Sequence, residues 1–128
     1  MSLIKRISIT NDLDIVTARL RTREVARELG FGTVDQARIS LAASELARVL
    51  AENVGGQGEI VISEANESGQ KGICVVSLNP RLADANLSSI PSDDLSQKIA
   101  NALNLVDEYL VEDQDQLGTR VTLMKWLT

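Results

Sequence analysis

A two-layer α/β sandwich is the fold this sequence predicts, with about three helices packed on one face of a mostly antiparallel mixed sheet of about five strands. Three observations lead there. Apolar residues recur three and four apart in two long stretches and alternate in several short ones. Clusters of Gly, Asn, Asp and Ser separate these stretches where turns are needed. Two helical stretches in succession divide the first strand from the second, which a doubly wound parallel sheet does not do. The 128 residues make a single domain, 1–128, large enough for one real core.

The elements follow in order. Leu3 to Ile9 alternates and reads as a strand at a sheet edge. Thr10, Asn11 and Asp12 offer N-cap oxygens to a helix running to about Leu29, whose core stripe is Ile15, Ala18, Thr22, Val25 and Leu29. Gly30 sits where a left-handed C-terminal residue belongs. Thr33 and Gln36 have capping-box spacing and open a second helix to about Val54. That helix is apolar on most sides, through Ala37, Ile39, Ala42, Ala43, Leu46, Ala47, Val49 and Leu50, and keeps a narrow polar seam of Arg38, Glu45, Arg48 and Glu52. Glu59–Glu64 and Gly72–Leu78 form a hairpin turned at Asn66 to Gly69. Residues 81–92 read as loop. A third helix starts at Ser92 or Asp93 and runs to about Val106, with Leu95, Ile99, Ala102 and Val106 inward. A short strand at Tyr109–Glu112 and a final one at Val121–Leu127 close the chain.

Composition excludes much chemistry. With no histidine, a Ser-His-Asp triad, a Cys-His dyad and a His-ligated metal are all impossible. The lone Cys74 lies in an apolar run and reads as a buried thiol. A net charge of −5 and three aromatic residues argue against direct nucleic-acid binding. Apolar runs are too short to span a membrane, and the first ten residues lack the apolar core of a signal peptide, so a cytoplasmic protein is expected.

Particular words of sequence carry a family resemblance. They are DIVTAR at Asp14–Arg19, the Val25–Phe31 run, TVDQARIS at Thr33–Ser40, SELAR at Ser44–Arg48, VDEY at Val106–Tyr109 and the closing Leu117–Leu127. Together they resemble the anti-sigma-factor and switch-protein serine-kinase branch of the histidine-kinase-like ATPase fold, over about two-thirds of the chain. The resemblance implies transfer of the ATP γ-phosphoryl group to a Ser or Thr of a partner. It also implies binding to an anti-sigma-antagonist-type domain, a sigma factor or a phosphatase.

Three parts of the implied ATP site depart from the family pattern. The family's motif helix carries Glu and, four residues later, an Asn that holds Mg²⁺. Here Glu45 is followed at that spacing by Val49, which offers a hard cation no oxygen. Asn53 lies one further turn away, about 5.4 Å along the axis. The family's Asp-x-Gly-x-Gly turn, which grips adenine, is replaced by Asn79-Pro80-Arg81. The glycine-rich phosphate lid has no counterpart, since no glycine occurs from Ile73 to Leu117 and the stretch holds Asp84, Asp93 and Asp94. The plainer account of Glu45 is an ion pair with Arg48.

The expectation is therefore a binding module of a bacterial-type partner-switching system, without ATP-dependent kinase activity and with no cofactor. The alternative is an active serine/threonine kinase using ATP and Mg²⁺, with Glu45 catalytic and Asn53 and Asn79 in the cofactor site. The candidate partner-binding face is the first helix opposite its core stripe: Val16 and Leu20 among Arg19, Arg23 and Arg27. A solvated face neutralised by Glu24 and Glu28 is the plainer account of that row. Asp107, Glu108, Glu112, Asp113 and Asp115 carry the opposite sign, so a homodimer joining the two is a further expectation, beside separate partners for each.

Overall fold

The computed structural model of the chain describes residues 4–53, 58–79, 99–113 and 119–128. Strand β1 (Ile4–Ile9) leads into helix α1 (Asp12–Leu29), helix α2 (Thr33–Asn53) and the hairpin β2 (Gly58–Glu67) and β3 (Gln70–Asn79). A four-residue helix α3 (Ala100–Leu103), β4 (Glu108–Asp113) and β5 (Thr119–Trp126) complete the described elements. The strands form one sheet in the order β1-β2-β3-β5-β4, antiparallel in every ladder. This is the expected sandwich, helices above and sheet below.

Local chemistry fixes the helix ends. Asn11 is the N-cap of α1: its side chain accepts from the Leu13 and Asp14 amides, and Asp14 reaches back to complete a capping box. Gly30 ends the helix at φ 99°, a left-handed conformation that costs glycine nothing. At α2 the expected Thr33–Gln36 box does not form. Thr33 is already helical, so the Gln36 amide donates to the Gly32 carbonyl at 2.9 Å, and its side-chain amide reaches Phe31 O at 2.8 Å.

The core lies between α2 and the sheet. Ile39, Leu46, Val49 and Leu50 of α2 meet Ile9, Ile60, Ile62, Ile73, Val75, Val121 and Leu123. Each such aliphatic side chain removed from water contributes roughly 1.5–3 kcal/mol. Ala18, Thr22, Val25 and Ala26 pack α1 against α2, and the buried Thr22, Ser40 and Ser44 hydroxyls donate within their own helices. Gly58 lets β2 pass under α2: a Cβ there would lie 2.6 Å from Leu50. Ala37, expected inside, is exposed.

Other boundaries shift for identifiable reasons. The β2–β3 ladder continues through Asn66↔Lys71 and Glu67↔Gln70, so the turn is only Ser68 and Gly69, both at positive φ as a two-residue hairpin requires. The expected start of the third helix, Ser92 or Asp93, lies outside the described residues. The helix α3 runs from Ala100 to Leu103 and stops short of Val106, because the Asp107 amide already donates to Met124 O at 3.0 Å and the chain has joined β5. Ile99 and Ala102 are buried as expected; Leu95 and the loop 81–92 lie outside the described residues. Cys74 is half-buried, and burial pushes its thiol up, away from the reactive thiolate.

One charge enters the core layer. Lys125, on β5, is 6% exposed, with its Nζ 3.5 Å from Asp35 in the first turn of α2 and 3.8 Å from Asp107. Asp107 also accepts from the Trp126 amide at 2.8 Å.

The α1 cap carries a pH dependence. Asp14 accepts from the Thr10 hydroxyl at 2.6 Å, the Thr10 amide at 2.8 Å and the Asn11 amide at 3.3 Å, and these bonds hold its carboxyl below the usual aspartate value. The unfolded chain therefore takes up this proton first. The stabilisation is fully present above about pH 4 and lost as pH falls toward the folded value. Asp14→Asn is expected to flatten this part of the acid limb in urea titrations between about pH 5 and pH 3; an unchanged limb would contradict the assignment.

Candidate functional site

Helix α2 carries the residues of the implied nucleotide site. Four residues make about one turn, so Glu45 and Val49 share a face. The Glu45 side chain is 23% exposed and pairs with Arg48 at 3.0 Å. The expected ion pair between Glu45 and Arg48 is therefore formed. Val49 is 6% exposed and belongs to the core. A buried hydrocarbon stands where the family's motif places the metal-holding oxygen, so position 49 offers a Mg²⁺ ion no ligand. Asn53 is the last residue of α2, and Asn79 the last of β3, paired in the ladder with Thr119. The side chains of Asn53 and Asn79, and the segment holding Asp84, Asp93 and Asp94, lie outside the described residues.

The outer face of α1 is arranged differently. Val16 and Leu20 are exposed, as expected, and Leu13, one turn earlier, is 74% exposed and extends them into a stripe. Leu13 escaped the sequence reading because it sits in the acidic first turn; its spacing of three and seven from Val16 and Leu20 was the available signal. Arg19, Arg23 and Arg27 are exposed along the same side. Of the two acids expected to neutralise them, Glu24 accepts from Arg21 through both its oxygens at 3.0 Å, and Glu28 is exposed on the same helix without an ion-pair contact to the row. Among the described residues, Arg19, Arg23 and Arg27 have no carboxylate in ion-pair contact, whereas Arg6, Arg21 and Arg48 each have one.

Two grooves run between α1 and α2 beside this row. One, of about 350 Å³, is lined by Leu20, Arg23, Glu24, Arg27, Thr33 and Gln36. The other, of about 390 Å³, is lined by Ile15, Val16, Arg19, Ser44 and Arg48, with Asp12 and Glu52. The first is the more cationic, since its only acid is engaged by Arg21.

The acidic run is dispersed. Asp107 turns in toward Lys125, Glu108 accepts from the Trp126 indole, and Glu112 lies opposite Arg120 in the β4–β5 ladder. Asp113 ends β4, and Asp115 lies outside the described residues. Charges on this edge strand also discourage pairing with another chain's edge.

Substitutions separate the two α2 positions. Val49→Asn buries an amide in apolar surroundings and is expected to cost about 1–3 kcal/mol in urea unfolding. Arg48→Ala removes a half-exposed pair and is expected to cost less than about 1 kcal/mol.

No family model matches the chain. Over 127 residues it is 35% identical to the serine/threonine-protein kinase RsbT of Bacillus subtilis (strain 168), covering 94% of this chain and 95% of that protein. Its fold is similar to the crystal structure of the RsbU and RsbW domains of Rv1364c from Mycobacterium tuberculosis, with a TM-score of 0.64 and 23% identity. That match covers 98% of this chain and 32% of the other, and at this identity it shows the fold alone. Among the described residues no helix is long and apolar enough to cross a membrane.

Proposed function

The chain belongs to the anti-sigma-factor and switch-protein serine-kinase family, that of RsbT, and from this premise we propose that it is a partner-switching regulator that acts by protein contact, in the cytoplasm, without transferring phosphate. The observation that carries the reading is Val49. Phosphoryl transfer is almost entirely positioning and charge neutralisation, with Mg²⁺ bridging the phosphates. A core valine in place of the ligand oxygen, one turn from a glutamate already paired with Arg48, removes the metal-holding group. The sequence of residues 79–98 adds neither the adenine-gripping turn nor the glycine cradle.

Contact is then made by the surface. The α1 face offers an apolar stripe bordered by three guanidinium groups with no ion-pair partner among the described residues, the composition of a binding patch. Val16, Arg19, Leu20, Arg23 and Arg27 are its proposed contacts. The partner class is an anti-sigma-antagonist-type domain, a sigma factor or a phosphatase. A second reading, an active kinase with Glu45 as base and Asn53 or Asn79 in altered roles, is favoured by the name of the 35% identical relative.

Titration with a fluorescent ATP analogue and Mg²⁺ decides between them. No saturable binding is expected up to about 1 mM, the weak end of ordinary substrate affinity; micromolar binding abolished by Glu45→Ala would establish the kinase reading. For the surface, Arg19→Glu combined with Arg23→Glu is expected to abolish pull-down of the partner while the melting temperature stays nearly constant. A collapsed melt would make the row structural.

A further inference from the structure

Resting on the reading of α1 as the contact face, we infer that its occupant is an amphipathic helix of a partner protein, with an apolar ridge and carboxylates gathered toward one end. The pattern of the face sets this occupant. Leu13, Val16 and Leu20 are exposed at spacings of three and four, and Arg19, Arg23 and Arg27 follow beside them at spacings of four. From Leu13 to Arg27 the face is about 21 Å long. The grooves between α1 and α2 run along it, so a third helix lying there places its ridge in the grooves as helices pack in bundles. Carboxylates one turn apart on that helix match guanidinium groups one turn apart on α1.

Charge gives the occupant a polarity. The groove near Thr33 is lined by Arg23 and Arg27 and by one acid, Glu24, which is engaged by Arg21, while the exposed Glu28 lies outside that lining. The other groove sets Arg19 and Arg48 among the carboxylates of Asp12 and Glu52, which line it with them. Negative charge is therefore favoured over the first groove and not over the second. The acidic strand β4 of a second copy fits less well. Tyr109 and Leu110 point to opposite faces of the sheet, and Asp107 and Glu108 are engaged within their own chain.

The test uses the full chain and a labelled, stapled helical peptide of about five turns. It bears leucines at spacings of three and four and glutamates one turn apart in one half; a second peptide has lysine in place of each glutamate. Fluorescence anisotropy at low salt is expected to show the glutamate peptide bound roughly tenfold or more tightly than the lysine one. Arg23→Glu with Arg27→Glu is expected to reverse that preference. Leu13→Ser with Leu20→Ser is expected to weaken both peptides, and Arg38→Glu, exposed on α2 and lining neither groove, to change neither. Equal binding of both peptides, or an Arg38→Glu effect as large as that of the row, overturns the inference. Self-association at rising concentration, lost on Arg23→Glu, overturns it in favour of a second copy. If the peptides fail while partner pull-down still depends on Arg19 and Arg23, the contact face stands and only the helical occupant falls.

Discussion

The burial of α2 is the constraint on which the rest of the molecule depends. This helix is covered by α1 on one side and the sheet on another, and its aliphatic residues are the centre of the core. Gly58 is kept small so that β2 can lie close beneath Leu50. A helix packed this tightly leaves little room for polar groups. The seam that remains holds Glu45 and Arg48, and they pair with one another. With Val49 drawn into the core, a position on the edge of a nucleotide site has become a packing position. Stability and phosphate chemistry make opposite demands of such a residue, and in this chain the hydrocarbon satisfies the first.

On the proposed reading, contact falls to groups with unspent interactions. Ion pairs inside the domain take up Arg6, Arg21 and Arg48, and Lys125 sits between two aspartates. The row on α1 is different. Like charges one turn apart weaken a helix slightly, so helix stability does not account for them. Exposed leucines and a valine run beside them, with two grooves along their flank. The proposed contact role rests on this organisation of charge on the surface rather than on the fold itself.

Much of the architecture was legible because its signals are local. The spacing of Ala18, Thr22 and Val25 marked α1, the alternation around Ile60 and Ile62 marked β2, and Gly30 marked a helix end. The candidate contact residues were legible for the same reason: Val16 and Leu20 fall opposite the core stripe. What stayed hidden depends on distant partners. Nothing near Asp107 in sequence reveals that it faces Lys125, so the acidic run read as one surface when its members go to separate tasks. The Thr33 box failed because the preceding glycine carbonyl competed for the same amide. Pairing order in the sheet, with β5 between β3 and β4, is likewise a property of long-range packing.

Lys125 links the two layers in a way that bears on how such chains diverge. Its ammonium sits between a carboxylate at the start of α2 and another just before β4, almost sealed from water. Losing the carboxylates would leave a nearly buried ammonium without a partner, whereas exchanging the whole set for hydrocarbon can be neutral. Lineages should therefore keep Lys125, Asp35 and Asp107 together or lose them together. Among descendants of this sequence, the three positions should be inherited as a unit, a covariation independent of whatever happens at the nucleotide face.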